Sequence, residues 1–157
     1  MLNKRATANM LKVSEAASLA MHAAVLLAAS NGQPRSTRKI ANALNASEHH
    51  LAKVLQRLAR AGLVVALRGP AGGFKLATAP GRITLLDVYE AIEGKLAGQP
   101  RCLFAQPVCS GKRCILGNLL RTVTAEVRRH LANTKLSELL DLYQVSRTKT
   151  ATHKQMQ

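Results

Sequence analysis

The chain has 157 residues, 47% hydrophobic but only 3% aromatic and without tryptophan, which is enough for one aliphatic, helix-rich core and too little for several domains. Its 23 Lys and Arg against 8 Asp and Glu leave a net charge of +15, which points to a polyanionic partner. Three cysteines confined to thirteen positions exclude a secreted disulfide framework and predict a cytoplasmic protein.

Residues 1–12 read as a basic leader. The apolar run Ala16 to Ala29, preceded by Lys4, Arg5 and Lys12, superficially resembles a signal peptide, but its 14 residues are too short for a bilayer and include Ser18 and His22. It reads instead as a buried helix over Val13 to Ser30, ended by Asn31-Gly32-Gln33-Pro34, with no membrane segment anywhere in the chain. Ser36 or Thr37 caps a short second helix carrying Ile40, Ala41 and Leu44. After the turn at Asn45-Ala46, Ser47 caps a third helix. Leu51, Val54, Leu55 and Leu58 lie on one of its faces and His49, His50, Lys53, Arg57 and Arg60 on the others. Two short helices joined by a tight turn, the second basic on its exposed side, form a helix-turn-helix pattern.

Leu63 to Leu67 and Phe74 to Leu76 read as two strands around the turn Arg68-Gly69-Pro70-Ala71-Gly72-Gly73. A hairpin directly behind a helix-turn-helix is a wing, in which Arg68 and Lys75 would meet the negative potential of a minor groove. Gly72 and Gly73 either serve an ordinary turn or let the backbone approach a phosphate closely. The charge is concentrated on this side of the molecule: residues 1–86 carry 12 basic and 2 acidic side chains, net +10, and residues 87–157 carry 11 and 6, net +5.

Thr84 caps a further helix that begins at Ile83 and closes over Gly94 to Gly98. Cys102, Cys109 and Cys114 follow on an irregular stretch with Pro100, Pro107 and Gly111, where three thiolates can converge on a soft metal. Packing cysteines, zinc, or a thiol switch without metal are the alternatives on residue type alone. Ile115 to Leu131 reads as a helix with one apolar stripe suited to a second copy of the chain. Leu136 to Leu142 reads as a short helix capping that dimer, and 144–157 as a mobile tail.

The run Leu51-x-Lys53-Val54-Leu55-x-x-Leu58, then Ala61-Gly62-Leu63-Val64, Arg68-Gly69-Pro70-x-Gly72-Gly73-Phe74-x-Leu76 and Ile83-Thr84-Leu85-Leu86-Asp87-Val88 resembles the iron–sulfur winged-helix regulators of the IscR and NsrR type, in the Rrf-two superfamily. The resemblance covers about residues 10–142. It implies a mostly α fold with a small β-hairpin: a winged helix-turn-helix over 13–95, a cluster-binding cysteine loop over 96–114 and dimerisation helices over 115–143. It further implies a homodimer on a near-palindromic double-stranded DNA operator, with Ser47, His49 and Arg68 at family DNA-contact positions. His50, Lys53 and Arg57 join them on charge and helix position alone.

Through the same resemblance Cys102, Cys109 and Cys114 would hold a two-iron or four-iron cluster, with one further ligand from elsewhere. The chain departs from the pattern here, having Gly117 and Ser18 where relatives have His or an acid. Glu15, one turn before Ser18, or His22, one turn after it, of the partner subunit ranks ahead of His130 as the fourth ligand. The expected activity is a DNA-binding repressor whose operator affinity follows redox, nitric oxide or iron status. A cluster-free, thiol-oxidised regulator is the second reading. A cysteine-based metal carrier or redox enzyme is the third, and it lacks a Cys-x-x-Cys pair, a catalytic triad or a carboxylate dyad to support it. The chain is therefore read as a regulator and not as an enzyme.

Overall fold

The computed structural model describes residues 13–96 and 118–143. The first helix, α1 (Glu15–Ala28), starts at Ser14, whose hydroxyl accepts the amide of Ala17. Eight of its fourteen side chains are buried, five of them alanines: Ala17, Ala20, Ala23, Ala24 and Ala28. Small side chains let neighbouring helices approach closely. α1 accordingly forms the axis of the domain, packed against the second, third and fourth helices and the wing. The apolar run is core, and among the described residues no helix is long and apolar enough to cross a membrane.

Ser36 caps α2 (Thr37–Leu44) through the amide of Lys39, and Asn45 closes it in the left-handed region at φ 49°. Ser47 caps α3 (Glu48–Arg60) through the amide of His50. As the 3.6-residue spacing predicts, Leu51, Val54, Leu55 and Leu58 are all buried, at 2% exposure or less. Truncating any one of the three leucines to alanine would cost about 2–5 kcal/mol in a core that cannot collapse.

β1 (Val64–Leu67) and β2 (Gly73–Leu76) pair antiparallel, Val64 opposite Leu76 and Val65 opposite Lys75. Phe74 and Leu76 pack on the core, so alternation turns Lys75 with Val65 to the other face. A feature not predicted joins the wing to the rest. Arg35, just ahead of α2, forms an antiparallel bridge with Phe74, its amide donating to Phe74 O at 2.9 Å and its carbonyl accepting from Phe74 N at 2.8 Å. The wing is therefore tied to the start of the helix-turn-helix by backbone as well as by packing.

A 3-10 turn at Pro80–Arg82 leads into α4 (Leu85–Glu93), opened by a reciprocal capping box between Thr84 and Asp87. The next described helix is α5 (Leu119–Asn133), which rests on α4 with none of its described side chains buried; Leu119 is 51% exposed. Beyond it the segment read as a short helix begins as a 3-10 element. Leu136–Leu139 is a 3-10 turn, and Leu136 is fully buried in the protomer's own core beside α1. A bridge between Lys135 and Thr84 holds it there.

Candidate nucleic-acid interface

The exposed surface of α3 begins at its cap. Ser47 has its hydroxyl oxygen engaged with the amide of His50 at 3.4 Å, which leaves the hydroxyl proton free to donate outward. Ser47, His49 and Lys53 are exposed, while the opposite face of the same helix is buried. Arg68 is exposed beside the hairpin turn. Because the Arg35–Phe74 bridge ties the hairpin to the start of α2, these groups are carried by one rigid unit.

Three predicted contacts look different in three dimensions. The guanidinium of Arg57 donates to the main-chain carbonyl of Ile92 in α4, so its visible work is to join two helices. Arg57 and Arg60 also occupy the last turn of α3, where a cation complements the helix dipole without any partner. Gly72 and Gly73 face their own chain. A Cβ on Gly72 would lie 2.3 Å from Leu67 O, and one on Gly73, at φ +144°, 2.4 Å from the carbonyl of Arg35. The close approach that requires glycine is to protein backbone.

Sequence reasoning placed α2 but passed over the cations of its first turn. That turn carries Arg38 and Lys39, both exposed, with no acidic residue. Cations at a helix N-terminus oppose the dipole. The pair makes sense if the turn meets an anion, and it adjoins the strand bridge that holds the wing. That reversal of the usual charge preference was the available signal.

The candidate ligands of the cysteine cluster share one place. Glu15, Ser18 and His22 line a groove of about 480 Å3 closed on its other sides by the turn at Asn45 and by Tyr143. His22 Nδ1 lies 3.2 Å from the hydroxyl of Tyr143, and Glu15, with 89% of its side chain exposed, lies 3.9 Å from Nδ1 of the half-buried His50. The pairing of α1 with the first turn of α3 through Glu15 and His50 was invisible in sequence, across 35 positions. Cys102, Cys109 and Cys114 lie outside the described residues, and among the described residues no three His, Cys, Asp or Glu side chains gather to hold a metal.

Burial pushes the Tyr143 phenol above its ordinary value of 10.0. The folded state then holds this proton more tightly than the unfolded one. Its contribution is fully present below about pH 10 and is lost as pH rises through the raised value. Tyr143→Phe is expected to reduce the alkaline loss of stability in urea melts above about pH 10. Tyr89, raised in the same direction by burial and then by Glu93, leaves part of that loss in place. An unchanged alkaline limb in Tyr143→Phe would show that the phenol ionises freely in the folded protein.

Comparison with known proteins agrees with this geometry. BadM of Rhodopseudomonas palustris is 42% identical over 73 residues, 46% of this chain and 47% of BadM, so the match spans about half the length of that relative. The solved structure of CymR, the global cysteine regulator of B. subtilis, superposes with a TM-score of 0.71 at 28% identity, over 85% of this chain and 98% of CymR. T. potens IscR does so with a TM-score of 0.66 at 25% identity, over 94% and 93% of the two chains. The model of the Rrf2 family, described as an iron-dependent transcriptional regulator, matches residues 13–142. With a helix-turn-helix, a wing bridged to it and a family match over most of its length, the chain belongs to the Rrf2 family of winged-helix transcriptional regulators.

Proposed function

We propose that this protein is a cytoplasmic, homodimeric, DNA-binding repressor whose operator affinity is set by chemistry at Cys102, Cys109 and Cys114. The observation that carries the DNA half is the two-sided α3: Leu51, Val54, Leu55 and Leu58 are buried while Ser47, His49 and Lys53 stand exposed on a unit that also carries Arg68. In this reading α3 enters a major groove, the wing lies beside it, and Arg38 and Lys39 take phosphates, positioning without specifying sequence. The partner-facing element is α5, whose described apolar positions find no buried place in the protomer.

The donor set suits an iron–sulfur cluster: three thiolates from one subunit and an oxygen or nitrogen from another. Glu15 and His22 are both exposed on one groove, so either is available to a partner's loop. A bound cluster would supply a centre reactive toward oxygen, nitric oxide or iron shortage. The family model's description as iron-dependent supports this choice. CymR, a regulator named for cysteine, favours the second reading, in which the thiols respond by oxidation without metal.

Anaerobic purification separates the two. Visible absorption with iron and acid-labile sulfide in the wild type, lost in Cys109→Ala, is the expected result. Colourless, iron-free protein after reconstitution, with operator affinity changed by thiol oxidation, would overturn the cluster and leave the thiol switch. Glu15→Ala and His22→Ala, each purified the same way, then identify the fourth ligand by which one loses iron.

A further inference from the structure

We propose that Glu90 and Arg128 form a latch tying the entrance of the cysteine-bearing segment to α4, and that Arg57 passes the position of α4 to the recognition helix α3. The inference rests on the reading that the cysteines set operator affinity. It adds the residues through which they do so.

The latch is built around one residue. Leu96 donates its amide to Glu90 Oε1 at 3.1 Å, and its carbonyl accepts from Arg128 Nη1 at 3.2 Å. The same Arg128 nitrogen donates to the same Glu90 oxygen at 2.8 Å. Both main-chain groups of Leu96 are thus held by side chains, one from α4 and one from α5, and the two holders hold each other. In sequence Cys102 stands only six residues further on. An exposed ion pair alone contributes little. Here the Glu90 side chain is only 26% exposed, and its carboxylate also holds a backbone amide, so opening one contact leaves others unmet.

The second link is at the same end of α4, two residues on from Glu90. The carbonyl of Ile92, in its last turn, accepts the guanidinium of Arg57 from α3. Val88 and Ile92 are buried in the common core, so α4 responds to a pull on Glu90 as a packed body. Arg57 lies on the helix that presents Ser47, His49 and Lys53. Two hydrogen-bonded links, joined by the last turn of α4, therefore lead from Leu96 through Glu90 and Ile92 to Arg57. Arg129 offers a contrast on the same helix: it pairs with Glu126 within α5, both exposed, and joins nothing else among the described residues.

The test uses full-length protein under anaerobic conditions and the duplex it enriches from a random double-stranded pool. Operator affinity is measured with the three cysteines present and with all three replaced by serine, in five backgrounds: wild type, Glu90→Gln, Arg128→Met, Arg57→Met and Arg129→Met. In the wild type, removing the cysteines is expected to change affinity by about 5- to 150-fold, the usual range of coupling between sites. In the Glu90, Arg128 and Arg57 variants that ratio is expected to fall to about 2-fold or less, with the Arg129 variant keeping the wild-type ratio. Should Arg128→Met fail to fold, Arg128→Lys keeps the charge, loses the guanidinium and reads the same ratio. Glu90 and Arg128 variants that retain the full ratio overturn the latch while the cysteine reading stands. A wild-type ratio of one overturns the cysteine reading itself, and the latch with it.

Discussion

Gly73→Ala is expected to unseat the wing, lowering stability by about 3 kcal/mol and operator affinity by more than about tenfold. The added Cβ would sit 2.4 Å from both the carbon and the oxygen of the Arg35 carbonyl and 2.7 Å from the amide nitrogen of Ser36. All three are backbone atoms, and Ser36 is the cap of α2, so no flexible side chain can yield. The residue must also keep φ +144°, a conformation that costs an L-amino acid about 1–3 kcal/mol. The alternative is to open the Arg35–Phe74 bridge and lose two hydrogen bonds at about 0.5–1.5 kcal/mol each. Either route frees the hairpin that carries Arg68. A fall in melting temperature of roughly 10 °C should accompany it. Gly81→Ala is the control, since its Cβ would meet only Ser137 Oγ at an ordinary 3.6 Å. Wild-type melting and wild-type affinity in Gly73→Ala would mean that the segment before α2 yields at no cost, and that the bridge does not position the wing.

Operator binding should also be steeply salt-dependent. Each protomer offers Lys53, Arg68, Arg38 and Lys39 as exposed cations on the proposed face, so a dimer would engage about eight phosphates. The expected slope of log affinity against log salt is then about −7, a loss of roughly 10^4 between 50 and 200 mM salt. Lys53→Ala, removing one cation from each half-site, should flatten the slope by about 2. Arg57→Ala should leave it unchanged, because that guanidinium is spent on Ile92. A large change in slope for Arg57→Ala would show that it leaves Ile92 for a phosphate. A slope near −2 would place the DNA on another face.

Much of this architecture was legible in the sequence, because local signals carried it. Ser36, Ser47 and Thr84 cap where their hydroxyls suggest, and the apolar spacing of α3 is its buried face. What escaped was whatever depends on pairing distant segments. A bridge of one residue pair, Arg35 with Phe74, has no alternation to betray it. Glycine patterns record that space is short but not what fills it, so Gly72 and Gly73 read equally well as phosphate contacts. A cation such as Arg57 records its charge but not its partner. Leu136 gave an amphipathic signal that could be met by a second subunit or by the protomer, and the protomer met it.

The bare flank of α5 has a further consequence. Fifteen residues near an otherwise well-packed domain place no described side chain in its interior, and a helix of that length is marginal in water on its own. In the proposed dimer its persistence depends on encounter with another copy, so dilution itself acts against it. The number of dimers able to span two half-sites would then rise with roughly the square of the protein's abundance at low copy number. Such a regulator responds to its own dose as well as to its chemical signal, and a modest change in its synthesis would sharpen or blunt the switch.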